Sequence, residues 1–314
     1  MELSPAPLFT DVAGAPAGGA AHWLATEDGL RLRIAHWSPT GTAKGTVLLF
    51  PGRTEYIEKY GPAAGDLTAR GFATLVVDWR GQGLADRLLP DPRPGHVVNF
   101  PDYQRDVAAV VQAASALDLP KPWFLIAHSM GGCIGLRALI EGLPVAAAAF
   151  SGPMWAISLS MAQRTFAHGV TALSTFFGLS HRLSPGTKGA NYVQVQPFEG
   201  NGLTNDPEMY RFLQNQLAAH PELGIGGPSL QWLREALRET ARLAHQPSPD
   251  LPCLTFLGTA DAIVSRTAIE TRMEHWPKGE LDLVEAGRHE VLMEDAATRA
   301  RTFDRIAALF DAAS

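Results

Sequence analysis

Cysteine is scarce in this sequence, which has two cysteines, Cys133 and Cys253, among 314 residues. Disulfide-built domains and C-x-x-C metal or redox sites need more cysteines at closer spacing, so both classes are excluded. We expect two buried thiols in a reducing compartment.

Two motifs that bind nucleotides or metals are also missing. The chain has no phosphate-binding G-x-x-x-x-G-K-[ST] loop and no H-E-x-x-H helix, because His289-Glu290 lacks the second histidine. We therefore expect chemistry that requires no cofactor, metal ion or nucleotide.

An excess of positive charge is missing as well. The chain has 26 basic and 32 acidic residues, and its formal net charge is −6 with histidine neutral. Because this charge repels a phosphate backbone, we expect no nucleic-acid partner.

The beginning of the chain lacks the basic start of a secretory signal peptide, since its first basic residue is Arg31. The longest stretch without a formal charge, residues 142–163, is long enough to cross a bilayer, but Pro144, Gly152 and Pro153 interrupt it. We expect no membrane span and a cytoplasmic location.

The sequence does have an apolar content of 46% and a regular alternation of apolar runs with helical patterns. Residues 22–37 predict a strand pair that turns at Glu27-Asp28-Gly29. Further strands are predicted at six apolar runs: 46–50, 74–77, 123–127, 145–150, 254–257 and 281–284. Helices are predicted over 55–70, 103–117, 130–141, 265–276 and 296–313. The predicted fold is α/β, with a mixed, mostly parallel eight-stranded sheet between helices.

The alternation stops after Phe150 and resumes at Leu251. The residues in between have helical and loop-like patterns, and turn-favouring segments rich in proline, serine and glycine mark both edges. We interpret residues 153–248 as a helical lid inserted into an α/β core formed by residues 1–152 and 249–314.

Ser129 lies where an apolar strand runs into a helix, in the segment Trp123-Phe-Leu-Ile-Ala-His-Ser-Met-Gly-Gly132. A sharp turn at this point lifts the serine above the sheet, and the positions two before and two after it must be small. Ala127 and Gly131 meet this need, although alanine departs from the generic G-x-S-x-G pattern. We predict that Ser129 is a nucleophile, the alternative being a serine that caps a helix.

A serine hydroxyl becomes nucleophilic when an imidazole accepts its proton and a carboxylate orients that imidazole. In this type of site the acid and then the histidine follow late strands. Asp261 follows the apolar run that begins at Leu254, and His289 follows the run that begins at Leu281. We predict Asp261 as the acid and His289 as the base.

Other residues compete for these roles. Asp78 also follows an apolar strand, but it precedes Ser129 in the chain, and we interpret it as a loop anchor. His128 is held by the turn beside Ser129, and His275 lies on a predicted helix. The histidines of the insertion suit exposed or capping roles.

Acyl transfer also needs hydrogen-bond donors where the carbonyl oxygen becomes negative. We predict that the backbone amides of Met130 and Arg53 form this oxyanion hole. Gly52 permits a tight turn before Arg53, which is not proline and therefore keeps its amide hydrogen. The alternative is an ordinary loop with a solvated Arg53. The charge of the Arg53 side chain also suits a phosphate head group.

These residues resemble the serine hydrolases of the α/β-hydrolase fold, and within them the bacterial lysophospholipases and the similar monoacylglycerol lipases. The motifs that carry the likeness extend over most of the chain: Gly52-Arg-Thr-Glu-Tyr-Ile-Glu-Lys-Tyr60, Asp78-Trp-Arg-Gly-Gln-Gly83, Gly95-His-Val97, Ala127-His-Ser-Met-Gly-Gly132, Leu203-Thr-Asn-Asp206 and Gly226-Gly-Pro-Ser-Leu-Gln-Trp-Leu-Arg-Glu-Ala236. Ala127 is similar to what these lysophospholipases carry, whereas Pro51 differs from the histidine common in monoacylglycerol lipases.

The resemblance implies a serine esterase that removes the single acyl chain of a lysophospholipid or a monoacylglycerol. A short-chain carboxylesterase or a serine peptidase of the same fold is an alternative, and a non-catalytic receptor for a hydrophobic ligand is a more remote one. Eight apolar side chains of the lid suit an acyl tunnel, a membrane surface or plain packing: Met154, Trp155, Ile157, Leu159, Met161, Phe166, Phe176 and Phe177. Peripheral contact between the lid and the inner membrane is a further expectation.

Overall fold

The strands of the computed structural model, which describes residues 2–314, are β1 (Ser4–Pro5), β2 (Ala20–Ala25), β3 (Arg31–Trp37), β4 (Thr46–Phe50), β5 (Ala73–Asp78), β6 (Trp123–His128), β7 (Ala148–Ser151), β8 (Cys253–Gly258) and β9 (Gly279–Val284). They form a single sheet of nine strands in the order β1-β2-β3-β5-β4-β6-β7-β8-β9. The pairs β1/β2, β2/β3 and β3/β5 are antiparallel, and all later neighbours are parallel. The carboxyl ends of the parallel strands therefore lie at one edge.

The α-helices of the same residues are α1 (Thr10–Ala13), α2 (Gly61–Ala69), α3 (Tyr103–Ala116), α4 (Met130–Ile140), α5 (Met161–Phe176), α6 (Tyr192–Val195), α7 (Pro207–Ala219), α8 (Leu230–Ala244), α9 (Arg266–Glu274) and α10 (Ala296–Ala312). Two hydrophobic clusters, one on each face of the sheet, join the strands to these helices. One contains residues of α3, α4 and α9, and the other contains residues of α2 and α10.

Strand β4 illustrates why the central strands are continuously apolar. All five of its residues are buried; Leu48 and Phe50 pack in one cluster, while Val47 and Leu49 pack in the other. Successive side chains of a strand point to opposite faces, so a strand covered by helices on both sides has no solvent-facing position. The α/β class predicted from these runs is confirmed.

The number of strands was predicted wrongly, because the sheet has nine strands rather than eight. The additional strand, β1, contains two residues and pairs with His22 and Trp23 of the predicted hairpin. A strand of this length has no periodicity to read, and Pro5 occupies an edge position, where a missing backbone amide is tolerated.

Helices α5 to α8 lie in the segment between β7 and β8, at the interruption seen in the sequence. Helix α5 packs on α8, and residues of α6 and α7 form a third small hydrophobic cluster with Tyr56 and Met293. The inserted segment therefore contacts the loops that follow the strands. Among the described residues, no helix is both long and apolar enough to cross a membrane.

Both cysteines are free and buried, as predicted, because Cys133 lies in α4 and Cys253 begins β8.

Candidate active site

Ser129 occupies the sharp turn between β6 and α4. Its φ of 50° and ψ of −117° are sparsely populated for a residue with a side chain. A Cβ on Gly131 would lie 2.1 Å from the carbonyl oxygen of Phe50, so the close approach of α4 to the end of β4 requires glycine there. Ala127, two residues before Ser129, is completely buried.

The structure brings together the three side chains that the sequence singled out. Ser129 Oγ lies 2.9 Å from His289 Nε2, and His289 Nδ1 lies 2.7 Å from Asp261 Oδ2. Gly152 flanks this arrangement, since a Cβ there would lie 3.1 Å from His289 Nδ1. Three residues separated by 132 and 28 positions in the chain thus form one hydrogen-bonded series. With a carbonyl carbon near Ser129 Oγ, this series can move the hydroxyl proton to His289.

The carboxylate of Asp261 is held in its ionised form. Burial opposes ionisation, but the hydrogen bond with His289 and those from the amides of Ile263 and Val264 outweigh it and lower the pKa of Asp261. An ionised Asp261 can fix the orientation of the His289 ring and stabilise its protonated form.

The loop after β4 carries Arg53, whose amide was predicted as an oxyanion donor. Neighbouring backbone groups are held by side chains: Gln82 Nε2 donates to Gly52 O at 2.9 Å, and Gln82 Oε1 accepts from the Thr54 amide at 3.0 Å. Glu55 accepts from the Gly52 amide. Within residues 2–314 the Arg53 amide has no such acceptor, so it is free to bind a ligand oxygen.

Met130, the other predicted donor, is the first residue of α4. The amides of the first helical turn have no acceptor inside the helix and carry the positive end of its dipole. The amide of Met130 therefore suits a developing negative charge, provided that the substrate carbonyl is seated at Ser129.

Beside Ser129 and His289 lies a group of four buried ionisable side chains, Glu55, Lys59, His128 and Glu290, which we call the buried charge cluster. Lys59 Nζ is 2.6 Å from both Glu55 Oε1 and Glu290 Oε1. His128 Nε2 is 3.2 Å from Glu290 Oε2 and 3.4 Å from Glu55 Oε1. Two basic side chains thus face two carboxyl side chains, which is the arrangement that buried ionisable groups require.

The protonation states in this cluster follow from its geometry. His128 Nδ1 lies 2.9 Å from the carbonyl oxygen of Ser151, so each ring nitrogen lies within 3.2 Å of an oxygen atom. Burial opposes the charge of His128, but the carboxylates of Glu290 and Glu55 outweigh it and raise its pKa. For Glu290, burial is likewise outweighed, and His128 and Lys59 hold its pKa well below the usual range.

Glu55, His128 and Glu290 also have the spacing of a metal-ligand set in the described part of the chain. The ammonium group of Lys59 lies between the two carboxylates, at hydrogen-bonding distance from each, and supplies the positive charge that an ion would bring. The chemistry of this set therefore fits a closed cluster of ion pairs better than a metal site.

A cavity of about 260 Å³ opens beside Ser129. Its polar end is formed by Ser129, His289 and part of the buried charge cluster. Its apolar end is formed largely by the insertion and the loops beside it: Tyr56, Val193, Leu203, Leu213, Leu217 and Ile263. Such a cavity suits a molecule with an ester next to an aliphatic chain.

The eight apolar lid residues do not form this cavity, and their interpretation as an acyl tunnel is wrong. Met154 and Trp155 are buried in the core, whereas Met161 and Phe176 are each 83% exposed. Helical spacing alone could not distinguish a cavity wall from the outer surface of an inserted helix. The residues that do line the apolar end are scattered over α6, α7 and loops.

The competing residues have structural partners elsewhere. Asp78 accepts hydrogen bonds from the amides of Ile57 and Leu84 and from Arg33, which confirms it as a loop anchor. His275, which directly follows α9, contacts the carbonyl oxygen of Thr271 in that helix.

Sequence reasoning missed the buried charge cluster and Gln82. One local signal existed: Glu55 and Lys59 are four residues apart directly after the predicted oxyanion loop, and Glu290 directly follows His289. His128 was considered only as part of the turn.

Comparison with known proteins gives consistent results. The chain matches the family described as serine aminopeptidase, S33, over residues 41–296. Lysophospholipase L2 of Escherichia coli strain K12 is 31% identical over 278 residues, which cover 84% of this chain and 80% of that protein. The probable lysophospholipase L2 of Haemophilus influenzae is 27% identical over 275 residues, covering 87% and 86%.

A solved structure extends the comparison. A soluble variant of monoglyceride lipase from Saccharomyces cerevisiae matches with a TM-score of 0.72 at 19% identity, covering 93% of this chain and 94% of that one. At this identity the likeness shows the fold, which is that of the α/β hydrolases.

Proposed function

Since the chain belongs to the serine aminopeptidase S33 family and is a carboxylic ester hydrolase of the α/β-hydrolase fold, we propose that it cleaves a single-acyl glycerolipid, a lysophospholipid or a monoacylglycerol. The names of its bacterial relatives support this substrate class. The observation that carries the proposal is the hydrogen-bonded series from Ser129 through His289 to Asp261, next to a cavity with an apolar end.

In the first half of the proposed reaction, Ser129 Oγ attacks the ester carbonyl carbon while His289 Nε2 accepts the hydroxyl proton. Asp261 stays ionised and stabilises the imidazolium, and the amides of Arg53 and Met130 donate to the oxyanion. When the tetrahedral intermediate collapses, the glycerol oxygen leaves with the proton from His289. The acyl group remains on Ser129 as an ester.

In the second half, His289 accepts a proton from water as the water oxygen attacks the acyl-enzyme. Collapse of this second intermediate breaks the bond to Ser129 Oγ and returns the proton to Ser129. The fatty acid is released and the enzyme is regenerated.

We propose different roles for two parts of the chain. Residues 1–152 and 249–314 form the catalytic core, and residues 153–248 form a lid that supplies much of the apolar end of the cavity. Two contacts support the lid assignment, since the amides of His289 and Glu290 donate to the carbonyl oxygens of Gly202 and Leu203.

We further propose that the lid contacts an anionic lipid surface from the cytoplasmic side. Between Glu141 and Glu199 the sequence has no acidic residue, whereas the whole chain has a net charge of −6. Helix α5 buries the small residues Ala167, Thr171 and Ser174 and exposes its largest apolar side chains. An apolar surface formed by a segment with basic but no acidic residues suits the interface of an anionic bilayer.

The main test compares wild type and Ser129→Ala on a lysophospholipid and a monoacylglycerol with the same acyl chain. Wild type should cleave at least one of them, and Ser129→Ala should lose activity by about 10⁴-fold or more. Ser115→Ala, which removes an exposed helical hydroxyl, is the matched control and should behave as wild type. Retention of more than a few percent of activity by Ser129→Ala would contradict the proposal.

A serine peptidase is a second candidate because the matched family is described by an aminopeptidase. Aminoacyl anilides measured beside short aryl esters and lipids of graded chain length distinguish it, since a peptidase prefers the anilides. Fluorophosphonate labelling separates both enzymes from a hydrophobic-ligand receptor, which has no need of an activated serine.

A further inference from the structure

A second cavity, of about 280 Å³, adjoins the cavity at Ser129. The two cavities share Arg53, Thr54 and Tyr192 in their walls. The second cavity also includes Lys188 of the insertion and the backbone of Gly226 and Gly227. We call it the cationic pocket. It lies beside the predicted oxyanion loop because Arg53 belongs to both.

The two cations of this pocket have no acidic partner. Within residues 2–314, no carboxylate oxygen lies within the 4.0 Å salt-bridge distance of Arg53 or Lys188. The Arg53 guanidinium donates one hydrogen bond, from Nη1 to Gly226 O at 3.0 Å, and lies 5.5 Å from the centre of the Trp232 ring. A guanidinium has five N–H donors, so most of its hydrogen-bonding capacity is available to a ligand.

Three buried cations of the chain are paired with carboxylates, although Arg272, which is also buried, has only neutral oxygen partners. Arg33 Nη2 lies 2.7 Å from Glu58, Lys59 Nζ lies 2.6 Å from Glu55, and Arg80 Nη2 lies 2.7 Å from Asp106. Burial lowers the pKa of Arg53 to about 10, so it is still a cation at neutral pH. Arg53 is half-buried, and partly burying a cation without an anion is unfavourable, which makes Arg53 a candidate for binding an anionic ligand.

The walls of the cationic pocket are held close together. A Cβ on Gly227 would lie 2.3 Å from Thr187 Cβ, and a Cβ on Gly226 would lie 2.6 Å from the carbonyl carbon of Gly189. The Gly227 amide donates to Lys188 O at 2.8 Å. The backbone at Lys188 is therefore fixed against the segment that accepts the hydrogen bond from Arg53.

We propose that the cationic pocket binds the phosphate of the substrate head group, so that the enzyme prefers lysophospholipids to monoacylglycerols. This inference rests on the proposed function and specifies its substrate. Arginine and lysine are suited to phosphate oxygens, the former through paired donors and the latter as a point charge.

The test measures kcat/KM for a 1-acyl lysophospholipid and for the 1-monoacylglycerol of the same chain, both in neutral detergent micelles. The ratio of the two values should fall by roughly 10- to 100-fold in Lys188→Met and in Arg53→Met. Lys188 is exposed, so its replacement should not prevent folding. Lys188→Arg should retain the preference, and Lys278→Met, which removes an exposed lysine paired with Asp250, is the control for charge.

A second arm separates a head-group site from a site for free phosphate. Inorganic phosphate is added, at constant ionic strength, to wild type and Lys188→Met hydrolysing a neutral short aryl ester. If phosphate alters the wild-type rate but the lipid ratio is unchanged in both variants, the pocket binds free phosphate and the proposal is wrong. An unchanged ratio without any phosphate effect also overturns it.

The same data separate this inference from the proposed function. A wild type that cleaves both lipids, together with variants of unchanged preference, contradicts the cationic pocket alone. A wild type that cleaves neither lipid contradicts both.

Discussion

Asp261 shows how much of the proposed catalysis depends on a single carboxylate. Its Oδ2 contacts His289 Nδ1, and its Oδ1 accepts from the amide of Ile263 at 2.7 Å. One oxygen is thus fixed by the backbone while the other orients the imidazole. An amide at this position keeps the shape of the side chain but loses the charge that favours the protonated ring.

We therefore predict that Asp261→Asn lowers kcat by about 10³- to 10⁴-fold with little change in KM. Steady-state kinetics on a short aryl ester measure both constants. Asp250→Asn, at an exposed acid paired with Lys278, is the control and should match wild type. A loss smaller than tenfold in Asp261→Asn would indicate that another acid orients His289.

His128 permits a prediction about stability because its pKa is raised above the ordinary value of 6.5. A group whose pKa is higher in the folded state stabilises the fold fully below its unfolded pKa, and loses that effect as the pH rises through the folded value. The advantage of wild type over His128→Gln in unfolding free energy should therefore be roughly 1–3 kcal/mol below about pH 6 and should shrink as the pH rises above that range.

Guanidinium denaturation of both proteins at several pH values measures this difference. A difference that is constant with pH, or that grows on the alkaline side, would show that the pKa of His128 is not raised in the folded protein.

The residues that the sequence could and could not predict differ in one respect. Ser129, Asp261 and His289 each follow an apolar run, so their position at the strand ends is encoded locally. The partners Lys59 and Glu290 are 231 residues apart, and nothing in the pattern around either one specifies the other. Pairing of this kind depends on the packed structure and could not be derived from spacing.

At the scale of elements, the turn from β6 into α4 is the most constrained connection. Ser129 has a positive φ, and Gly131 leaves no room for a side chain against Phe50 O. We predict that Gly131→Ala displaces the loop after β4, destabilises the protein by about 2–4 kcal/mol and lowers kcat, because the amides proposed to form the oxyanion hole move.

Gly169→Ala is the matched control for this variant. Gly169 lies in helix α5, and a Cβ added there would have no neighbouring atom within 4 Å. Alanine at this position should therefore leave kcat unchanged and stabilise the helix by about 0.5–1 kcal/mol. Thermal unfolding and aryl-ester kinetics measure both variants. Equal stability and equal kcat of the Gly131→Ala and Gly169→Ala variants would contradict the close approach of α4 to β4 at Gly131.

Prediction of strands from the sequence succeeded where every side chain of the strand is buried. It failed where a short strand is defined only by its pairing with a neighbouring strand. The run 46–50 is strand β4 residue for residue, because each of its side chains enters one of the two cores. Strand β1 was missed because pairing with β2, rather than any pattern of its own, makes Ser4 and Pro5 extended.

At the scale of the whole molecule, the insertion exposes large apolar side chains to solvent. Phe176 and Phe177, at the end of α5, are 83% and 65% exposed and contact each other edge to face. Exposed aromatic pairs on a helix without acidic residues suit a lipid interface.

We predict that Phe176→Ser with Phe177→Ser reduces partitioning onto anionic vesicles by about tenfold or more, without affecting hydrolysis of a water-soluble ester. Vesicle co-sedimentation measures the partitioning. Leu283→Ser, at a 40% exposed leucine of β9, controls for loss of apolar surface elsewhere and should bind as wild type. Equal binding of all three proteins would exclude this face of the lid.

The most direct measurement for the proposed function is rapid acid quenching of enzyme mixed with a lysophospholipid, followed by peptide mass analysis. We predict that the mass of the peptide containing Ser129 increases by the mass of the fatty acid minus one water, and that Ser129→Ala shows no adduct at any residue. An acyl group found on a different side chain, or hydrolysis that continues in Ser129→Ala, would contradict an acyl-enzyme on Ser129.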